Sequence, residues 1–148
     1  MHVRTRMAHP DLEALFNTLL PFTQKLLGKH GGFNPWGAIM WASGEIQWVA
    51  ADNGEEFPEA QELIDLLTEA FSRPSCRGVL RAVGMCYDVL VTPSGQAEKL
   101  DAICCRLEHV SGEAVDVFVP YRKTDEGVRY ADAFTWLREP QFFLPTKQ

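Results

Sequence analysis

The chain of 148 residues is 46% hydrophobic and 23% charged, the composition of an ordinary globular protein long enough to bury a core without staples. Its formal net charge of -6 disfavours sequence-independent attraction to nucleic acid or anionic membrane, and no block of Lys and Arg reverses that locally. The opening MHVRTRMAHP lacks the apolar stretch of a secretory leader, and the apolar runs elsewhere are too short to cross a bilayer. The expectation is one cytoplasmic domain spanning 1–148, frayed over residues 1–9, with Cys76, Cys86, Cys104 and Cys105 reduced and no C-x-x-C pair for metal or redox chemistry.

From Asp11, the residues Leu12, Leu15, Phe16, Leu19 and Leu20 form a helical stripe, with Pro10 suited to the first helical position. Pro21 is expected to kink or split this helix, Leu26 and Leu27 resume the stripe, and Gly28 is the expected stop. Residues 36–41 and 45–50 read as two strands of a β-hairpin joined by Ala42-Ser43-Gly44. A second helix starts near Pro58, buries Ala60, Leu63, Ile64, Leu67 and Phe71, and ends by Pro74 and Gly78. Three strands follow: 79–91, 100–110 and 115–121, the last with Val115, Val117, Val119 and Tyr121 in strict alternation. Pro93-Ser94-Gly95, Ser111-Gly112 and Asp125-Glu126-Gly127 read as turns. Tyr130, Ala133, Phe134 and Leu137 have helical spacing and predict a short final helix before an irregular arm over 138–148.

The order α-β-β-α-β-β-β-α predicts an α+β fold with a mostly antiparallel five-stranded sheet and helices packed on it. By element order alone, this resembles the profilin-like and roadblock-like architecture of a sheet sandwiched by helices, a likeness that carries no function.

The segment KHGGFNPWGA, residues 29–38, raises the question of a ligand loop. Phosphate-cradling loops follow a strand and open a helix, whose N-terminus supplies positive potential. Here the glycines follow a helix and precede a strand, and neither G-x-x-x-x-G-K-[ST] nor G-x-G-x-x-G occurs, so the segment reads as helix exit, turn and strand entry. The aromatics clustered on it and on the hairpin, Phe33, Trp36, Trp41 and Trp48, are the candidate binding residues, with Trp36 and Trp48 on a different face from Trp41.

The run Lys29-His30-Gly31, Phe33, Pro35, Gly37-Ala38, together with Gly44-Glu45-Ile46, Asp101-Ala102-Ile103, Leu107-Glu108-His109 and Val117-Phe118-Val119-Pro120-Tyr121, is similar to a group of small bacterial proteins sharing K-H-G-x-F-x-P-x-G-A. The resemblance spans about residues 12 to 137. It implies no activity, cofactor or catalytic residue; the association it suggests is with immunity or partner proteins that accompany bacterial toxins.

Catalytic signals are sparse. His109 follows Glu108 on a strand, so the two point to opposite faces and cannot orient one another. No H-E-x-x-H or G-x-S-x-G occurs, and no metal or cofactor is expected. Cys104 and Cys105 put one thiol on each face of a strand, as small core hydrophobes. Asp88, Asp101, Glu108 and Asp116 fall on three consecutive strands, either as a solvated face paired with Arg81 and Arg106 or as a carboxylate pair capable of acid–base work. The leading expectation is a protein-binding module acting by surface complementarity, of immunity or regulatory type, with homodimerisation through a sheet edge or the Trp hairpin as one form of it. The rival is a small enzyme or ligand-binding domain using His30, Asp88, Asp101 or Glu108 between the first helix's exit and the sheet.

Overall fold

The structure, a computed structural model, describes residues 9–93, 95 and 97–144. Of the segment expected to fray over 1–9, residues 1–8 lie outside the described residues, as do the turn residue Ser94 and the last residues of the arm, 145–148, whereas His9 is not frayed but caps α1, its side chain accepting from Asp11 N–H. The fold is α+β. Helix α1 (Pro10–His30) is followed by β1 (Trp36–Trp41), β2 (Ile46–Ala50), α2 (Ala60–Cys76), β3 (Leu80–Val91), β4 (Leu100–His109), β5 (Ala114–Thr124), β6 (Gly127–Tyr130) and β7 (Phe134–Leu137). The strands form one sheet in the order β2-β1-β3-β4-β5-β6, with β7 also on β5, and every pair is antiparallel. Strands β2 and β3 therefore run parallel on either side of β1, and α2 is the crossover between them.

Helix α1 lies on one face and α2 on the other, so the helices sandwich the sheet. The stripe Leu12, Leu15, Phe16, Leu19, Leu20, Thr23 and Leu27 is buried against one side of β1 and β3–β5. Leu67 and Phe71 meet Ile39, Leu80, Val83 and Met85 on the reverse side. Gly37 in β1 allows α2 to come this close: a Cβ there would lie 2.8 Å from the Phe71 ring and 2.5 Å from the Gly84 carbonyl oxygen.

Four expectations need correction. The sheet has seven strands, not five. Pro21 neither splits nor ends α1; it sits exposed inside one helix, which closes at Gly31 and not at Gly28. Gly31 adopts φ 74°, and its N–H donates to the Leu27 carbonyl at 2.9 Å. Helix α2 runs through Pro74 to Cys76. The final helix is absent, replaced by β6 and β7. An isolated helix of that length is marginal, whereas the free edge of β5 offers backbone partners along its whole length. β6 pairs with Tyr121–Thr124 through a hairpin at Asp125-Glu126, and β7 pairs with Val115–Phe118. The break between them lies beside Pro120, whose carbonyl accepts from Ala131 N–H at 2.9 Å but which has no N–H to return.

Candidate functional site

Three elements converge where α1 ends. Along α1, Phe22, Leu26 and His30 recur at helical spacing and point toward β2. The exit turn is held by the αL Gly31, whose carbonyl accepts from Lys123 Nζ on β5. The chain then carries Phe33 and Pro35 into β1. Together with Trp36, Trp48, Val49 and Ala50 from the hairpin and Phe57 from the following loop, they line a groove of about 860 Å³. His30 is the one titratable side chain among the described residues lining it.

The groove has a rigid floor and an exposed rim. Trp36 is buried, and its Nε1–H donates to Thr23 Oγ1 at 2.9 Å, while that hydroxyl donates to the Leu19 carbonyl at 2.8 Å. The indole is thus fixed with no polar group left over. Phe22, Trp36 and Trp48 pack mutually with ring centroids 4.8–5.3 Å apart. Exposure rises outward from 7% at Trp36 to 53% at Trp48 and 85% at Phe57. Of the four aromatics singled out in the sequence, Phe33, Trp36 and Trp48 meet here. Trp41 sits on the α2 face, where its Nε1–H donates to Gln47 at 3.1 Å. A second aromatic patch, Phe118, Phe134 and Trp136 beside Val89 and Val91, bounds a smaller groove of about 350 Å³.

β2 is the outer strand on this side, and among the described residues its one strand neighbour is β1. Trp41 N–H donates to the Glu45 carbonyl at 2.9 Å, which sets the alternation along the hairpin. The backbone groups of Gln47 and Val49 consequently face β1, and those of Ile46, Trp48 and Ala50 face outward. Trp48 offers both an exposed ring and an unpaired backbone N–H and C=O.

The residues proposed for the rival site are dispersed. His30 lines the groove. Asp88 and Asp101 share the α1 face with Tyr121, whose hydroxyl lies 2.9 and 3.0 Å from the two Asp88 oxygens. Burial pushes the Asp88 carboxyl up; the Tyr121 hydrogen bond opposes this and the charge of Asp101 adds to it, leaving it above the usual range. Glu108 points to the opposite face and is fully buried. It accepts the backbone N–H groups of Gln141, Phe142 and Phe143 at 2.6–2.7 Å and Arg138 Nη1 at 3.1 Å. Asp116 binds Arg106 through two bonds and Arg138 through one. Glu108 therefore clasps the C-terminal arm and holds Phe142 beside Phe71. Cys104 and Cys105 are buried on opposite faces, and burial pushes both thiols up, Cys104 to about 12, away from nucleophilic use.

His109, which its place beside Glu108 on a strand gave no catalytic partner, is drawn into the fold instead. It is buried and pins the start of α1: Nδ1 accepts from Ser111 N–H, so Nε2 carries the proton and donates to Asp11 at 2.9 Å. Arg81 reaches both Asp11 oxygens at 3.1 Å, and His9 stacks on His109 while accepting from Asp11 N–H. Burial alone would raise the Asp11 carboxyl, but the bonds from His109 and Arg81 outweigh it and hold it below the usual range. Candidate ligand atoms of His9, Asp11 and His109 lie within 4.8 Å of one another. Asp11 is already engaged by His109 and by the Arg81 guanidinium beside it, whose charge disfavours a cation there.

Another signal was readable but unread. Residues 31–72 hold eight acidic side chains and no Lys, Arg or His, which exceeds the net charge of the whole chain. This stretch contains β2, its flanking loops and most of α2. No helix is long and apolar enough to cross a membrane among the described residues. The chain matches no protein-family model, no curated protein and no solved structure.

Proposed function

We propose that this protein is a binding module that recognises another protein through the aromatic groove at the α1 exit. The observation that carries the reading is the graded aromatic surface, from the fixed Trp36 floor to the largely exposed Trp48 and Phe57. Exposed aromatics on a rigid support are the usual energetic centre of a protein interface, because they bury much area at little entropic cost. Toxin neutralisation and regulatory partnership are two forms this role takes, and the fold likeness to profilin-like and roadblock-like proteins carries none of it. The rival, a small enzyme or ligand-binding domain, draws support from the raised Asp88 carboxyl beside Tyr121 and Asp101. Against it, Glu108 lies across the sheet and is consumed by the C-terminal arm.

A photo-crosslinking residue placed at Phe57 in producing cells tests the reading, with one at the exposed Leu90 as control. The expected result is a discrete protein adduct at 57 that is absent at 90 and lost on Trp48→Ala. Absence of a protein adduct at 57, or equal labelling at both positions, overturns the reading.

A further inference from the structure

We infer that β2 takes up an extended segment of a partner chain as an additional antiparallel strand, and that this segment alternates apolar residues with Lys or Arg. The inference rests on the binding-module reading and names its mode and partner class. Natural sheets blunt their edges with charges, prolines or very short strands, since an unpaired ladder recruits other strands. Ile46-Gln47-Trp48-Val49-Ala50 has neither a charged residue nor a proline. Its outward backbone groups, on Ile46, Trp48 and Ala50, belong to the residues whose side chains lie on the groove side. Every second side chain of an added strand would lie on that same side, beside Trp48 and Phe57, which suits apolar residues.

Charge selects the rest of the partner. Glu45 precedes β2, and Asp52, Glu55, Glu56 and Glu59 follow it, all exposed. An incoming strand about 17 Å long, at ~3.3 Å per residue, meets acidic side chains at both ends; of the bases on this side, Arg81 beside Gly44 is paired with Asp11, and His30 lies in the groove. A second copy of this chain fits poorly: the register that pairs all of β2 with itself sets Glu45 of one copy beside Ala51 and Asp52 of the other, twice by symmetry. A basic, alternating segment turns that repulsion into attraction.

The probe is acetyl-Lys-Leu-Lys-Leu-Lys-Leu-Lys-amide carrying fluorescein, read by fluorescence anisotropy against the full chain. Comparators are the Glu-for-Lys peptide, a peptide of the same composition in block order, and one N-methylated along the backbone edge that would meet β2. The expected result is binding that weakens with salt and falls at least about tenfold for each comparator and for Trp48→Lys. Equal binding of the N-methylated peptide overturns strand addition, and equal binding of the acidic peptide overturns the charge argument. If the alternating peptide does not bind while the Phe57 adduct forms, this mode fails and the groove reading survives; if both fail, the groove reading fails too. Sedimentation showing a dimer that Trp48→Lys abolishes would make a second copy the occupant and overturn the proposed partner.

Discussion

The two sides of this sheet are built differently. Beyond β5, the chain returns twice, as β6 and then β7, and follows with Arg138 and an arm whose backbone is gripped by the buried Glu108. Beyond β2, nothing among the described residues pairs with the backbone, and the side chains next to that edge are aromatic and exposed. The β5 side adds two short strands and ties down the arm that follows them with a buried carboxylate and three backbone bonds. The other keeps its groups free beside a groove whose floor is rigid. Both ends of the sheet finish in strands with a single neighbour among the described residues; they differ in what borders them, the large groove with its fixed Trp36 floor beside β2 and the smaller Phe118, Phe134 and Trp136 groove beside β7.

The comparison breaks most severely at the clasped C-terminal arm. Glu108→Ala leaves three backbone N–H groups without their acceptor and takes one of its two carboxylates from Arg138, so urea unfolding should register a loss of about 3–5 kcal/mol. Limited proteolysis should then cut within 138–144, where it spares the parent protein. A loss below about 1 kcal/mol, inside the range of exposed ion pairs, would mean that the clasp is not what holds the arm.

An intermediate effect belongs to the pin at the start of α1. Because the folded Asp11 carboxyl is depressed, its contribution is present above the ordinary carboxylate value and is lost as pH falls through the folded one. Asp11→Asn should cost about 1.5–3 kcal/mol at neutral pH, the range for charge-assisted hydrogen bonds. That difference should shrink as pH drops below about 4, measured by denaturant midpoints across pH. Asp88 has the opposite sign. Its raised carboxyl favours the fold at low pH, and that contribution is lost as pH rises through its folded value.

The smallest effect sharpens the contrast. Trp48→Lys should cost only about 1 kcal/mol, because the ring is half exposed and loses its packing on Phe22 and Trp36 while β2 already ends the sheet. A large loss would show that Trp48 serves the core and not a partner.

How far residues alone reveal this molecule depends on whether a feature is periodic or assembled. The stripe from Leu12 to Leu27, the α2 positions Leu63, Leu67 and Phe71 and the alternation of β5 follow from spacing, as does the separation of Trp41 from Trp36 and Trp48, whereas Ala60 proves exposed and Ile64 half-buried. The C-terminal strands did not follow. Tyr130, Ala133, Phe134 and Leu137 are spaced as in a helix, and only the open side of β5 makes strands the better use of them. Glu108 was misread because its partners are backbone groups more than thirty residues away, and backbone donors leave no mark in a sequence. The groove was half visible. The hairpin supplied Trp36 and Trp48, while Phe22, Leu26 and Phe57 come from elements that meet it only after folding.

Amide hydrogen exchange of the isolated protein at residue resolution tests the open edge most directly. The outward amides of Ile46, Trp48 and Ala50 should exchange far faster than those of Gln47 and Val49 on the same strand, and faster than those of Val115–Phe118 in β5. Uniform protection along β2 would mean that this edge is already covered, and the account of a free docking strand would be wrong.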